Sequence, residues 1–523
     1  MAETALPVSS EILGALERQP EALLRLRRGI EKESLRVDCN GSLSQRPHPS
    51  YLGSPLTHPQ ITTDFSEAQV ELITDVHDSP EGALRQLEDV HRFVYRGIGD
   101  ELLWTASMPC MLGADDDIPV GQYGTSNIAR AKTIYRLGLG NRYGRLMQTI
   151  SGIHYNFSVP DVFWPVLAES MGARPEQSFR TQSYFSLIRN FRRFSWLLIY
   201  LFGASPALCK SFVKNRPHPL QSFDEGSLFL PDATSLRMGR LGYQSDAQSQ
   251  LHISYNSLDQ YARSMQQALT QSYPPYEAIG VKVGDEYRQL NTALLQIENE
   301  FYGTVRPKQP VRSGERPLAA LRARGVEYVE VRCLDLNPFL PVGIDVPQMR
   351  FLDTFLLFCL LTRSPADSEQ ESRIMGDNQL RVVEQGRQKN LMLNKTSGPV
   401  TREAWSREIL NGCRPLAELL DGVHGSSHYT RAWEEQQRKV EEPQLTPSAR
   451  ILEIMATQGI PFFRFTMNQS IAHKGYFSEH PLLPDQLAEQ EAAARASLDA
   501  QARMEAEDDV DFATFLTRYL AID

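Results

Sequence analysis

The chain has 523 residues, room for one large domain or for two to four of about 150 residues each. Lys and Arg total 54 against 64 Asp and Glu, a formal charge of −10 that argues against a general binder of nucleic acid or of anionic membrane. With 41% hydrophobic and 23% charged residues, wholesale disorder, collagen-like repeats and coiled coil are excluded as descriptions of the chain.

Two short helices, broken at Pro20, are expected over residues 11–28 from the spacing of Ile12, Leu13, Leu16, Leu23, Leu24 and Leu26. The segment Gly29–Val37 reads as a strand with Glu31 and Glu33 on one face, because side chains two apart share a face. Gln69–Thr74 suits a second strand, with Glu71 opposed to Val70 and Leu72. A helix follows over Pro80–Gly97. Gly152–Val159 alternates, with Ile153, Tyr155 and Phe157 on one face and His154, Asn156 and Ser158 on the other. A long helix is expected over Gln177–Leu201, its basic side (Arg189, Arg192, Arg193) in solvent. Val326–Cys333 alternates again, with Tyr328, Glu330 and Arg332 opposed to Val329, Val331 and Cys333. The mixture lacks a regular βαβ beat and points to an α+β fold around a largely antiparallel sheet.

From about residue 345 the pattern turns helical: Val346–Leu361, a polar stretch Ser364–Gly398 with few strong elements, then Arg402–Leu420 and Arg431–Val440. Pro484–Tyr519, rich in Ala, Glu, Gln and Arg, reads as a long exposed helix or a pair of helices. Its acidic run Glu505–Asp511 is expected to be solvated. The organisation inferred is a catalytic region over 1–345 and a mainly helical region over 346–523, either separate or part of the same domain.

The six cysteines, Cys39, Cys110, Cys209, Cys333, Cys359 and Cys413, form no CxxC pair, so a reducing cytosol is the expected setting, with Cys110 and Cys333 as free structural thiols. The N-terminal residues lack the basic and apolar regions of a signal peptide, and the longest apolar runs fall well short of the roughly 20 residues that span a bilayer. A cytoplasmic protein without a membrane partner is expected.

Acids in apolar strands carry the chemical signal. Glu71 and Glu330 sit among apolar neighbours, and a buried carboxylate needs a cation, since an unpaired buried charge is very costly. Several carboxylates with one imidazole and no thiolate suit Mg²⁺ or Mn²⁺. Asp64 has a competing reading as a helix N-cap, with Glu67 three residues later. Arg306, Lys308 and Arg332 are candidates for neutralising phosphate oxygens. There is no GxxxxGK[ST] and no strand-linked GxGxxG, so a bound nucleotide would be held by metal and cations instead of a glycine loop. The i, i+4 pair His424 and His428 sits among Gly and Ser and reads as loop.

Five long motifs, in order, resemble the proteobacterial glutamate-cysteine ligase (gamma-glutamylcysteine synthetase) family: Arg28-Gly-Ile-Glu-Lys-Glu-Ser-Leu-Arg36, Ile61-Thr-Thr-Asp-Phe-Ser-Glu-Ala-Gln-Val-Glu71, Gln122-Tyr-Gly-Thr-Ser-Asn127, the segment from Asn141 through Gly152-Ile-His-Tyr-Asn-Phe157, and Glu327-Tyr-Val-Glu-Val-Arg332. The resemblance spans roughly residues 20 to 345. It implies a glutamine-synthetase-like fold in which a curved, mainly antiparallel sheet forms a funnel. It implies ATP-dependent joining of L-glutamate to L-cysteine, the first step of glutathione synthesis, with Mg²⁺ and with glutathione as a feedback inhibitor. By motif it assigns Glu31, Glu33, Asp64, Glu71, His154 and Glu330 to metal, and Arg332 to phosphate. It places Phe65, Tyr135, Leu139, Gln148, Tyr243 and Tyr302 around cysteine, and Arg136 and Arg237 on substrate carboxylates. The alternatives are a ligase of the same fold with another amine acceptor, a metal-dependent hydrolase, and a non-catalytic sensor.

Overall fold

The structure, a computed structural model, describes residues 7–214, 216–242, 246–249, 251–312 and 314–521. Its centre is a seven-stranded sheet. The strands are β1 (Arg27–Val37), β2 (Ile61–Thr63), β3 (Gln69–Ile73), β4 (Leu102–Leu103), β5 (Ile153–Ser158), β6 (Val305–Lys308) and β7 (Tyr328–Leu334). They lie in the order β6-β7-β5-β1-β3-β2, with β4 on the far end of β1, and neighbouring strands are antiparallel.

Register sorts the side chains. Glu31 stands opposite His154, Glu33 opposite Glu71, and Glu330 opposite both Asn156 and Arg306. Because the pleat has a period of two, these charged groups share one face, while Ile30, Val70, Leu72, Ile153, Tyr155, Phe157, Val329 and Val331 share the other. All eight of the latter are fully buried, each contributing about 1.5–3 kcal/mol of hydrophobic stabilisation.

Helices cover that apolar face. They are α1 (Pro80–Gly97), started by Ser79 accepting from Gly82 N and by Pro80 at its first position, α3 (Gln177–Phe202) and α4 (Val346–Leu361), with α2 (Asn127–Tyr143) standing over the other face. Behind α3 and α4 lie α5 (Arg402–His424) and α6 (His428–Glu441), and all of them share one apolar core with the sheet. One buried charge crosses this core: Asp353 of α4 accepts from Arg28 at 3.0 Å and from Tyr155 Oη at 2.7 Å, tying the helix to β1 and β5.

Several expectations change. The stretch Ser364–Gly398 holds a helix, Glu369–Gln385, and a hairpin, Met392–Lys395 with Gly398–Thr401; Ser368 caps the helix, a signal that the polar composition hid. The arginines of α3 do not face solvent. Arg189 is buried and donates to Ser364 O and Pro365 O, Arg192 pairs with Asp367, and Arg193 pairs with Glu371, so they hold the segment that follows α4. Asp64 starts no helix: it lies in the tight connection between β2 and β3, where its N–H donates to Gln69 O. Glu67 instead accepts from the backbone N–H of His48 and of Gln122.

His424 ends α5 and His428 begins α6, rather than both lying in a loop. Cys110 is not a free thiol but is joined to Cys209 by a disulfide, with Cα atoms 5.3 Å apart, while Cys333 is free and buried. A separation of 99 residues leaves no local spacing from which that pair could be read. The C-terminal segment forms α7 (Pro484–Ala506) and α8 (Phe512–Leu520). Its acidic run is engaged: Glu505 accepts from Thr125 N, and Asp508 accepts from Asn127 N at the start of α2.

Candidate active site

The polar face of the sheet and the inner side of α2 enclose a cavity of about 260 Å³. β1 supplies Glu31 and Glu33, the β2–β3 corner Asp64 and Phe65, β3 Glu71, β5 His154, and β6 with β7 supply Arg306, Lys308, Glu330 and Arg332. Helix α2 adds Lys132, Tyr135, Arg136 and Leu139, a spacing of three, one and three that keeps all four on one helical face. Gln148 and Tyr302 close the apolar end, where Gln148 Nε2 donates to Tyr302 Oη at 3.0 Å. The loop carrying Tyr302 is held by Glu300, which accepts from Arg142 at 2.9 Å and from Tyr143 Oη at 2.6 Å.

At the acidic end, single ligand atoms of Glu31, His154 and Glu330 all lie within 4.8 Å of one another. His154 Nδ1 is 3.1 Å from Glu31 and 3.9 Å from Glu330, and its Nε2 is 3.8 Å from Glu33. Two carboxylates and an imidazole have the composition of a divalent-cation site. Asn156 Nδ2 donates to Glu31 at 2.9 Å and so orients that carboxylate.

The electrostatics divide the acids. Burial works against ionisation of Glu330, but Lys308, Arg332 and His154 outweigh it, and its carboxyl lies well below the usual value. Glu31 is also lowered: burial and Glu330 oppose its charge, and the His154 hydrogen bond with Lys308 prevails. Glu33 moves the other way, pushed up to about 8 by burial and the Asp64 charge. Glu71 rises well above the usual range through burial and the charges of Glu31, Asp64 and Glu33. Burial and Arg332 lower His154, favouring the neutral, ligating imidazole.

Among the described residues assigned by resemblance, one does not line the cavity. Arg237 is buried behind it, donating to Arg332 O at 3.1 Å and lying 3.7 Å from Asp335. It also backs Gly152, where a Cβ would collide with its guanidinium, while the Gly152 N–H donates to Glu33 at 2.7 Å. Tyr243 lies outside the described residues. Lining residues that the motifs did not single out are Thr62, Thr63, Lys132 and Asn299. For Lys132 the signal was present: it precedes Tyr135 and Arg136 by one helical turn.

The family model for glutamate-cysteine ligase matches residues 13–382. A glutamate–cysteine ligase of Pseudomonas entomophila is 50% identical over 494 residues, covering 94% of this chain and 93% of that protein. The chain belongs to the glutamate-cysteine ligase family. Another member, from Alcanivorax borkumensis, is 50% identical over 503 residues, covering 95% of this chain and 96% of that protein. The crystal structure of a glutamate–cysteine ligase from Francisella tularensis in complex with AMP has a TM-score of 0.90 at 36% identity, covering 95% of this chain and 98% of that one. A bifunctional glutathione synthetase from Pasteurella multocida shares the fold, with a TM-score of 0.69 at 24% identity over 89% of this chain and 55% of that one.

Proposed function

We propose that this chain joins the γ-carboxylate of L-glutamate to the amine of L-cysteine at the expense of ATP, giving γ-glutamylcysteine, ADP and phosphate. The observation that carries this reading is one cavity holding a carboxylate–imidazole cluster, five cations and an aromatic–amide end, in a chain of this family.

Glu31, Glu33, Asp64, Glu71, His154 and Glu330 would hold Mg²⁺, or Mn²⁺ in its place, and the donor set of hard oxygens and one nitrogen fits. When bound, the cation would offset the charge of the triphosphate and polarise its γ-phosphorus. Glutamate's carboxylate oxygen forms a bond to that phosphorus as the bond to the ADP oxygen breaks, leaving γ-glutamyl phosphate. Arg332, with Arg306 and Lys308 beside it, counters the charge that spreads over the transferring oxygens. The cysteine amine then attacks the acyl carbon, loses a proton, and phosphate departs. Phe65, Tyr135, Leu139, Gln148 and Tyr302 would seat cysteine and keep water from the acyl phosphate.

Among the described residues no helix is long and apolar enough to cross a membrane. A cytoplasmic setting belongs to the same reading, as does restraint by glutathione, built on the product. The deciding experiment is ADP release from Mg-ATP and L-glutamate with and without L-cysteine, beside a panel of other amines. Cysteine-dependent release with γ-glutamylcysteine as product is expected. Release driven only by another amine would change the acceptor, and turnover with metal but without nucleotide would replace the ligase by a hydrolase.

A further inference from the structure

The cavity needs a cation for each anionic group that enters it, and two of those assigned by resemblance are committed elsewhere. Arg237 is outside the cavity, held to Arg332 O and facing Asp335. Arg136 lines it, but its guanidinium donates to three backbone carbonyls, those of Asp64, Lys132 and Thr63. Lys132 is different. Its ammonium has neither a hydrogen bond nor an ion pair among the described residues, and rests 5.0 Å above the Tyr123 ring.

Arg136, one turn along the helix, lies 4.5 Å over the same ring. Two like charges at i, i+4 repel each other, and an anion received at this point would relieve both. Tyr123 is itself fixed, its hydroxyl donating to Thr63 O at 2.8 Å, so the platform under the two cations is rigid.

We propose that Lys132 is the residue that receives an anionic oxygen of a substrate, carboxylate or phosphate, within this cavity. The proposal rests on the ligase reading, since it presumes that amino acids and a nucleotide enter here. Burial and the repulsion of Arg136 bring Lys132 down to about 8 against the opposing pull of Glu71, so it still carries its charge at neutral pH. Its four-carbon stem lets the ammonium leave the ring and follow the ligand, which the tethered guanidinium of Arg136 cannot do.

The test compares wild type with Lys132→Met and Lys132→Arg, measuring kcat and separate KM values for ATP, glutamate and cysteine. Lys132→Met is expected to raise the KM of one of the three by roughly tenfold to a hundredfold, the size of a lost charge-assisted hydrogen bond, with Lys132→Arg recovering most of it. The substrate affected identifies the anion: ATP a phosphate, glutamate or cysteine a carboxylate. Unchanged KM values in Lys132→Met, with wild type active, would overturn the proposal and leave the ligase reading standing. Equal damage in both variants with a lowered melting temperature would also overturn it, in favour of packing against Tyr123. Should wild type show no turnover, the ligase reading fails by itself. Calorimetric titration of ATP, glutamate and cysteine into wild type and Lys132→Met still decides for Lys132, equal affinities refuting it.

Discussion

The ammonium of Lys308 lies 3.0 Å from Glu330 across the β6–β7 pair, so the one acid that faces three cations also holds the centre of the site. Arg332 reaches the other oxygen of Glu330 at 3.0 Å and Arg306 approaches to 3.9 Å. Replacing this carboxylate by an amide leaves three cations facing one another with nothing between them. Glu330→Gln is expected to lower turnover by about a hundredfold or more, with a native circular dichroism spectrum. Turnover near wild type would remove Glu330 from the chemistry.

Glu33 makes stability depend on pH and metal together. Its carboxyl is raised from 4.5 to about 8, so between those values the folded protein keeps a proton that the unfolded chain has lost. Metal-free stability should therefore fall as pH rises through this window. A bound divalent cation requires the deprotonated carboxylate. Mg²⁺ should flatten the fall and release protons on binding at pH 7. Melting curves from pH 5 to 8, with and without Mg²⁺, check this; parallel curves would count against Glu33 as a ligand.

On the opposite face of β1, Lys32 is buried with its Nζ 2.7 Å from His91 Nε2, and His91 Nδ1 lies 2.7 Å from Leu87 O. Burial lowers Lys32 from 10.5 to about 7. Here the unfolded chain binds the extra proton, so stability rises with pH between about 7 and 10.5. Lys32→Met should melt higher than wild type at pH 7, with the gap narrowing toward pH 10. A gap that does not change with pH would show that Lys32 does not titrate in this window.

How far the amino-acid order disclosed this arrangement depends on the residue. Glu31, Glu33, His154 and Glu330 could be read because a period-two pattern assigns faces within each strand, and one shared face was enough to bring them together. Arg237 could not be placed in that way. It sits in a short 3₁₀ turn, Leu236–Met238, without periodicity, and only its tertiary partners decide that it stands behind Gly152. The arginines of α3 misled because a basic stripe on a helix looks the same whether water or Asp367 and Glu371 face it.

The Cys110–Cys209 link closes a long loop between the segment after β4 and the short strand Ala207–Cys209. Cross-links over loops of about 100 residues contribute on the order of 4–5 kcal/mol in the chain-entropy account. Reductant should lower the melting temperature by several degrees, and Cys110→Ser should make wild type's loss on reduction disappear. Thiol titration of the denatured, unreduced protein should find four groups, those of Cys39, Cys333, Cys359 and Cys413. Six would refute the link.

Asp508 sits far along the chain from the motifs, yet its carboxylate accepts from Asn127 N, and the Asn127 side chain donates to Val510 O at 2.8 Å. Phe512 and Leu516 pack with Ala131 and Ile134 on the same helix. Asp508→Ala should loosen the start of α2 by about 0.5–2 kcal/mol, as loss of a cap does. Faster hydrogen exchange over 127–135 and a raised KM for an amino-acid substrate are expected, without global unfolding. Unaltered exchange and kinetics would mean that the tail is not a prop for this wall.

That prop also imposes an order on biosynthesis. The strands carrying the acids are complete by Leu334, and the helix lining the cavity has left the ribosome long before, but the residues that brace it, Asp508, Phe512 and Leu516, follow far later in the chain. Domains generally fold as they emerge, N-terminal part first. Here a nascent chain would hold its ligand set in place while one side of the pocket still waited for support, and competence for turnover would await the emergence of α7 and α8.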